Sequence, residues 1–313
     1  MKLLPYLVTL VFQDCIWSWN RGVTIMKQFL VIFFLTIGSL VHAASIVPKP
    51  PSVNASAWIL KDFDSGRVLA EYDSEVRLEP ASLTKMMTAY VVFGELSEGS
   101  IGLEDEVVVS KKAWQMPGSR MFIEVGKKVS VADLLKGVII QSGNDASVAL
   151  AEYVAGDEQT FAALMNQYAQ KLGMAGTNYT NSTGLPEESH YTTANDLSLL
   201  ARALIRDFPA FYKWHAIKSF KWNDIDQRNR NKLLWRDDSV DGIKTGYTNQ
   251  AGFGFLGSAE RDGQRLVMVV AGSPGGRERR RAARQFIEWG FRNFDSRVLF
   301  AQNARIGTAR VQE

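Results

Sequence analysis

An α+β fold is predicted, with a sheet assembled from both ends of the chain and helices between. Three observations carry it. Strand-like runs cluster at residues 56–73 and again at 217–271, five segments between them carry apolar residues at three-and-four spacing, and one more such segment follows at 278–291. The 313 residues are 46% hydrophobic, enough for one large or two small domains with a full core.

The first 43 residues read as an address rather than as part of the fold. Met26-Lys27 precedes the apolar run 29–40 and then Val41-His42-Ala43, the pattern of a signal peptide over 26–43 with cleavage after Ala43. The run is too short to span a bilayer comfortably. Translation is then expected to start at Met26, leaving 1–25 as a dispensable extension, and the product to be exported. Without these residues the formal charge falls from +3 to +1, so nothing points to nucleic acid. Cys15, the single cysteine, lies in the discarded part, which excludes disulfides and thiol catalysis from the exported chain.

A Pro-containing linker covers 44–54. Strands 56–62 and 67–73 are separated by Asp64-Ser65-Gly66, a turn signal, and read as a hairpin. Helices are expected at 82–96, 131–141, 144–154, 158–172 and 194–206, strands at 217–222, 239–243, 252–259 and 266–271, and a last helix at 278–291. This order suggests one mixed sheet covered by helices, with a separate helical lobe.

Three short motifs carry candidate chemistry. In "PASLTKMM" Ser82 stands three residues ahead of Lys85 at a helix start. Either Ser82 caps the helix and Lys85 is solvated, or the lysine amine reaches the serine hydroxyl across one turn and acts as its base. The second case requires a neutral lysine, through burial or a neighbouring cation. Lys244-Thr245-Gly246 occurs once, at the end of an apolar strand, where it supplies a cation and a glycine that admits close backbone approach, or is simply a strand end. Ser142-Gly143-Asn144 bridges two helices and presents a hydroxyl and an amide, or caps the second helix; Ser-x-Asn recurs at Ser18 and Ser52 and is the least specific. Ser-x-x-Lys, Ser-x-Asn and Lys-Thr-Gly in this order form the set found in penicillin-binding proteins and class A β-lactamases.

With these motifs, and with "QSGNDASVALAEYVAG", "MNQYAQKLGMAGTNYTNSTGL", "NRNKLLW" and "VDGIKTGYTNQAGFGFLGSA", the chain closely resembles the low-molecular-weight penicillin-binding proteins that are serine-type D-alanyl-D-alanine carboxypeptidases. The resemblance implies a catalytic domain over 55–294 with a β-lactamase/transpeptidase-like fold, a mostly antiparallel sheet flanked by helices plus a helical lobe. It implies peptidoglycan stem peptides ending in D-Ala-D-Ala as substrate and acylation by β-lactam antibiotics. Ser82 would be the nucleophile, Lys85 its base and Ser142 a proton relay. The backbone N–H groups of Ser82 and Tyr247 would form the oxyanion hole, although relatives often carry histidine at the Tyr247 position. Asn144, Lys244, Thr245 and Gly246 would bind substrate, and Arg277 in "GGRERRRAAR" would anchor the terminal carboxylate. The resemblance implies no metal or cofactor, and a place in the periplasm. Relatives commonly continue into a small β domain and an amphipathic membrane helix, so "RVLFAQNARIGTARVQE" at the end reads as the first strands of a truncated domain over 295–313.

The remaining charged and aromatic residues are read as ordinary. Arg279, Arg280, Arg281 and Arg284 form a solvated helix face in preference to a phosphate site. His190 and His215 lack metal-ligand company, and Trp58, Trp214, Trp222, Trp235 and Trp289 are packing residues, with Trp114 bordering a cleft loop. Two rival functions stand beside the carboxypeptidase. One is a β-lactamase of the same fold, which would need a deacylating carboxylate such as Glu187 or Glu188; the other is a catalytically silent peptidoglycan-binding module.

Overall fold

The computed structural model describes residues 47–297 and Gly307. The signal peptide and most of the expected C-terminal β domain lie outside the described residues.

Strands β1 (Ala57–Asp62), β2 (Val68–Tyr72), β7 (Val240–Thr248), β8 (Gly252–Arg261) and β9 (Gln264–Ser273) form one sheet in the order β2-β1-β9-β8-β7. Every pairing in it is antiparallel, so the sheet is not mixed. The N-terminal hairpin docks on β9 and the last three strands meander. No crossover helix of the kind that makes parallel pairs intervenes.

The sheet is buried on both sides because its strands alternate between two cores. Ile59, Val267 and Val269 face one cluster, together with Leu197, Leu200 and Leu204 of helix α6 (Ala194–Asp207). Their neighbours Trp58, Leu60, Met268 and Val270 face the other, against Ala283, Phe286 and Ile287 of helix α8 (Gly276–Asn293). The period of two along a strand puts adjacent residues on opposite faces, and here both faces are apolar.

The middle of the chain is the helical lobe. Its central helix α1 (Lys85–Glu98) is buried without interruption from Lys85 to Gly94, the signature of a helix surrounded by others. Around it pack α3 (Val131–Lys136), α4 (Asn144–Ala155), α5 (Glu158–Lys171) and α6. The short helices α2 (Lys111–Trp114) and α7 (Pro209–Tyr212) and the hairpins β3 (Glu106–Val108)–β4 (Lys128–Ser130) and β5 (Ser219–Trp222)–β6 (Ile225–Arg228) complete the chain.

The strand expected at 217–222 does not join the sheet but pairs with β6 in a separate hairpin, and the β3–β4 hairpin was not expected. Three further departures fall at the motifs. The helix expected from 82 begins as a tight 3-10 turn, Ala81–Thr84, before α1. The helix expected over 131–141 ends in a wide π turn, Gly137–Gln141, after which Ser142 sits in the left-handed region at φ 68°. Strand β7 runs on to Thr248, so Lys244-Thr245-Gly246 lies inside the strand and not at its end.

Candidate active site

Ser82 occupies the 3-10 turn, where three residues complete one turn and positions i and i+3 eclipse. Lys85 therefore stands directly over it, and its Nζ donates to Ser82 Oγ at 3.2 Å and to the Thr183 carbonyl at 2.6 Å. No side-chain cap closes this helix start, so the capping role is not the one Ser82 plays. The Thr183 carbonyl is delivered by a close crossing of two backbones. Gly184 has φ +80°, and a Cβ there would meet the Ala81 carbonyl oxygen at 1.8 Å; only glycine fits.

Lys85 is fully buried, and its pKa falls from the ordinary 10.5 to about 7. Desolvation of the ammonium is the main cause and the Arg230 guanidinium adds to it, against a smaller opposing pull from Asp145 and Glu158. Lys244 was expected to add to this effect by its charge; Lys85 and Lys244 do repel each other, and Arg230 is a further cation acting on both.

Lys244, also buried, donates to Ser142 Oγ at 2.8 Å and to the Thr245 carbonyl at 2.9 Å. Its own pKa is driven well down, first by burial and then by Lys85, Arg230 and Arg279. The left-handed backbone at Ser142 turns the start of α4 toward β7, and neither Ser142 nor Asn144 caps that helix. The Asn144 side-chain amide donates to the Pro117 carbonyl at 2.6 Å, while its backbone N–H donates to Ser119 at 2.7 Å. It thus holds the 117–119 loop as the cleft wall.

Six of the expected residues, Ser82, Ser142, Asn144, Thr245, Gly246 and Tyr247, line a single cavity of about 500 Å³, and Lys244, bonded to Ser142, lies just beneath. Lys85 lies beneath Ser82. Gly246 has a second task, since a Cβ there would come within 3.2 Å of the Pro80 carbonyl and 3.3 Å of Leu83. Its missing side chain lets the edge strand β7 abut the Ser82 turn. The Tyr247 ring packs on Phe253 at 4.2 Å and its hydroxyl donates to Asn249, so it stands at the rim.

Arg277 is not in the cleft. It is exposed on the outer side of α8 and lines a different cavity, whereas Arg279 is 8% exposed, lines the cleft and donates to the Gly254 carbonyl at 3.3 Å. Two residues along a helix are about 200° apart, so packing α8 on the sheet turns one arginine inward and the other out. Arg279 therefore does not belong to a solvated face. Burial and Arg280 lower its pKa to about 10, which leaves it cationic at neutral pH.

Four residues unremarked as site candidates complete the arrangement. Arg230 bridges the Gln141 carbonyl at 2.9 Å and Ser119 Oγ at 2.8 Å across the cleft mouth. Asp145 accepts from the backbone N–H groups of Met121 and Phe122, both at 2.8 Å, and so fixes the segment that follows the cleft wall. Thr183 and Gly184 supply the Lys85 acceptor. Arg230 lies in "NRNKLLW" and Asp145 in "QSGNDAS", stretches that stand out in the sequence, but their roles depend on partners about 20 to 110 residues away.

His190 and His215 are buried and held neutral, each with its pKa lowered to about 4 mainly by desolvation; His190 hydrogen-bonds Thr84 Oγ1 at 2.8 Å behind the Ser82 turn. Trp114 is exposed and is not among the cleft residues. Among the described residues no group of acidic, histidine or cysteine side chains could hold a metal.

The charged residues lining the cleft are Arg230, Lys232, Arg279 and Arg280, and no carboxylate is among them. Glu187 and Glu188 face a neighbouring cavity with Arg77 and Glu79. A serine in contact with a buried, weakly basic amine, at the floor of a cationic cleft under an edge strand, defines a serine–lysine acyl-transfer enzyme. Residues 44–275 match the family model described as peptidase S11, D-alanyl-D-alanine carboxypeptidase, and the chain belongs to that family. It is a serine-type D-alanyl-D-alanine carboxypeptidase.

The chain is 45% identical over 298 residues to the D-alanyl-D-alanine carboxypeptidase DacC of Escherichia coli, covering 93% of this chain and 74% of that one. Penicillin binding protein 5 of Haemophilus influenzae has a similar structure, with a TM-score of 0.77 and 42% identity over 78% of this chain and 73% of that chain. The ampicillin-bound penicillin-binding protein D2 of Listeria monocytogenes is also similar, with a TM-score of 0.72 and 27% identity over 78% of this chain and all of that one.

Proposed function

We propose that the protein removes the terminal D-alanine from peptidoglycan stem pentapeptides at the Ser82 cleft, as an exported enzyme acting in the periplasm. The observation that carries this reading is the Lys85 Nζ–Ser82 Oγ contact at 3.2 Å with a lysine whose pKa has fallen to about 7. Neutral Lys85 takes the Ser82 proton as Oγ attacks the carbonyl carbon between the two D-alanines. The oxyanion is stabilised by the backbone N–H groups of Ser82 and Tyr247. The proton now on Lys85 is relayed through Ser142, which is bonded to Lys244, to the departing D-alanine nitrogen, the C–N bond breaks, and water later adds to the Ser82 ester and releases the shortened peptide.

Edge strand β7 offers its backbone to an extended peptide, with Asn144 and Gly246 along the path. Thr245 and Arg279, rather than Arg277, take the terminal carboxylate; an arginine fork suits that group. The cationic lining favours a substrate that ends in a free carboxylate. β-Lactam antibiotics would acylate Ser82 by the same attack. A β-lactamase with class A deacylation fits less well, because that step uses a glutamate and water and no glutamate lines this cleft.

Mass spectrometry of a stem pentapeptide incubated with the protein should show loss of one D-alanine and a long-lived penicilloyl adduct on Ser82. Both should vanish in Ser82→Ala. A silent binding module predicts neither event in the unaltered protein, and a β-lactamase predicts fast release of the adduct.

A further inference from the structure

A second cavity, also about 500 Å³, lies on the outer side of α8, away from Ser82. Arg277, Arg281 and Arg284 reach it from one stripe of the helix at spacings of four and three, where like charges stand side by side. Arg292 joins from the next turns, Arg236 from the loop after the 3-10 turn Lys232–Trp235, and Arg280 from the wall shared with the catalytic cleft. Leu233 and Trp289 form an apolar floor. The one carboxylate in the lining is Glu288, and it already pairs with Arg261 at 2.6 Å. Among the described residues none of the six arginines has an ion-pair partner, and Arg280 Nε is buried without a hydrogen bond.

Converging guanidinium groups repel one another, and such a cluster gains most from a small multivalent anion. Phosphate fits, because its several oxygens accept from planar arginine forks two at a time. The cavity opens to solvent, and its volume of about 500 Å³ admits a phosphate group together with a headgroup that carries it.

We infer that this arginine-lined cavity is a binding site for a phosphate group, either free or carried on a lipid headgroup. The site meets the substrate cleft only at Arg280, and its test reads phosphate and vesicle binding, so it does not depend on the peptidase reading. The test titrates inorganic phosphate into the full chain by calorimetry. In parallel, the protein is sedimented with vesicles of equal parts phosphatidylglycerol and phosphatidylcholine, and with phosphatidylcholine alone. Two variants are compared, Arg281→Gln with Arg284→Gln on the helix, and Arg236→Gln from the opposite wall; unfolding midpoints confirm that each is folded.

Saturable phosphate binding, weakened at least tenfold by the helix variant and also by Arg236→Gln, supports the site with a soluble source. Retention on phosphatidylglycerol vesicles alone, lost in the same variants, supports it with a lipid source. Binding to neither probe, or binding that the variants leave unaltered, overturns it.

Discussion

The pH dependence of acylation is the most direct consequence of the Ser82–Lys85 contact. An ordinary lysine of pKa 10.5 would be neutral in only about three molecules in ten thousand at pH 7, whereas at a pKa of about 7 about half are neutral. The difference is worth about 5 kcal/mol between the two protonation states, and it arises from complete burial of the amine with Arg230 nearby. The lowered value means the proton is lost as pH rises through 7, so the acylation rate should rise with pH. From pH 5 to pH 8 the neutral fraction climbs from about 1% to about 90%, which predicts a gain of about two orders of magnitude. Stopped-flow labelling with a fluorescent penicillin, which does not titrate in this range, measures it. Arg230→Gln should move the midpoint upward, by less than the burial effect does. His190 is neutral above about pH 4 and hydrogen-bonds behind the turn, so it does not supply this limb. A rate flat between pH 5 and 8, or a midpoint near 10, would refute the assignment of Lys85 as the base.

Three further outcomes test the geometry. Arg279→Gln should raise KM for a peptide with a free C-terminal carboxylate about 10- to 100-fold, the range for a lost charged hydrogen bond; a C-terminal amide should be insensitive, and Arg277→Gln should change neither. Gly184→Ala places a methyl 1.8 Å from the Ala81 carbonyl oxygen in a left-handed position, so the unfolding midpoint should drop by the equivalent of at least ~2 kcal/mol, with penicillin labelling slowed because the Lys85 acceptor shifts. Asp145→Asn replaces an acceptor of the Met121 and Phe122 N–H bonds with a neutral amide; the expected cost is about 1.5–3 kcal/mol of stability, read by denaturant titration, and wild-type stability would remove Asp145 as the clamp of that segment.

The helices and strands follow from periodicity, since a three-and-four or a two-residue repeat identifies which face of a segment must be buried whatever it packs against. The order of Ser82-x-x-Lys85, Ser142-x-Asn144 and Lys244-Thr245-Gly246 was sufficient to single out the chemistry. The amino-acid sequence by itself therefore determined the α+β class and the family, and it singled out the Ser82–Lys85 pair proposed as nucleophile and base. It did not determine which arginine enters the cleft, because Arg277 and Arg279 are equally basic and only the rotational setting of α8 on the sheet separates them. Nor did it determine why the Lys85 amine gives up its proton near pH 7. That property requires burial by the whole helical lobe, the Thr183 carbonyl from 98 residues away, and the field of Arg230. Desolvation and charge–charge coupling are sums over neighbours in space, and those neighbours exist only once the chain has closed on itself.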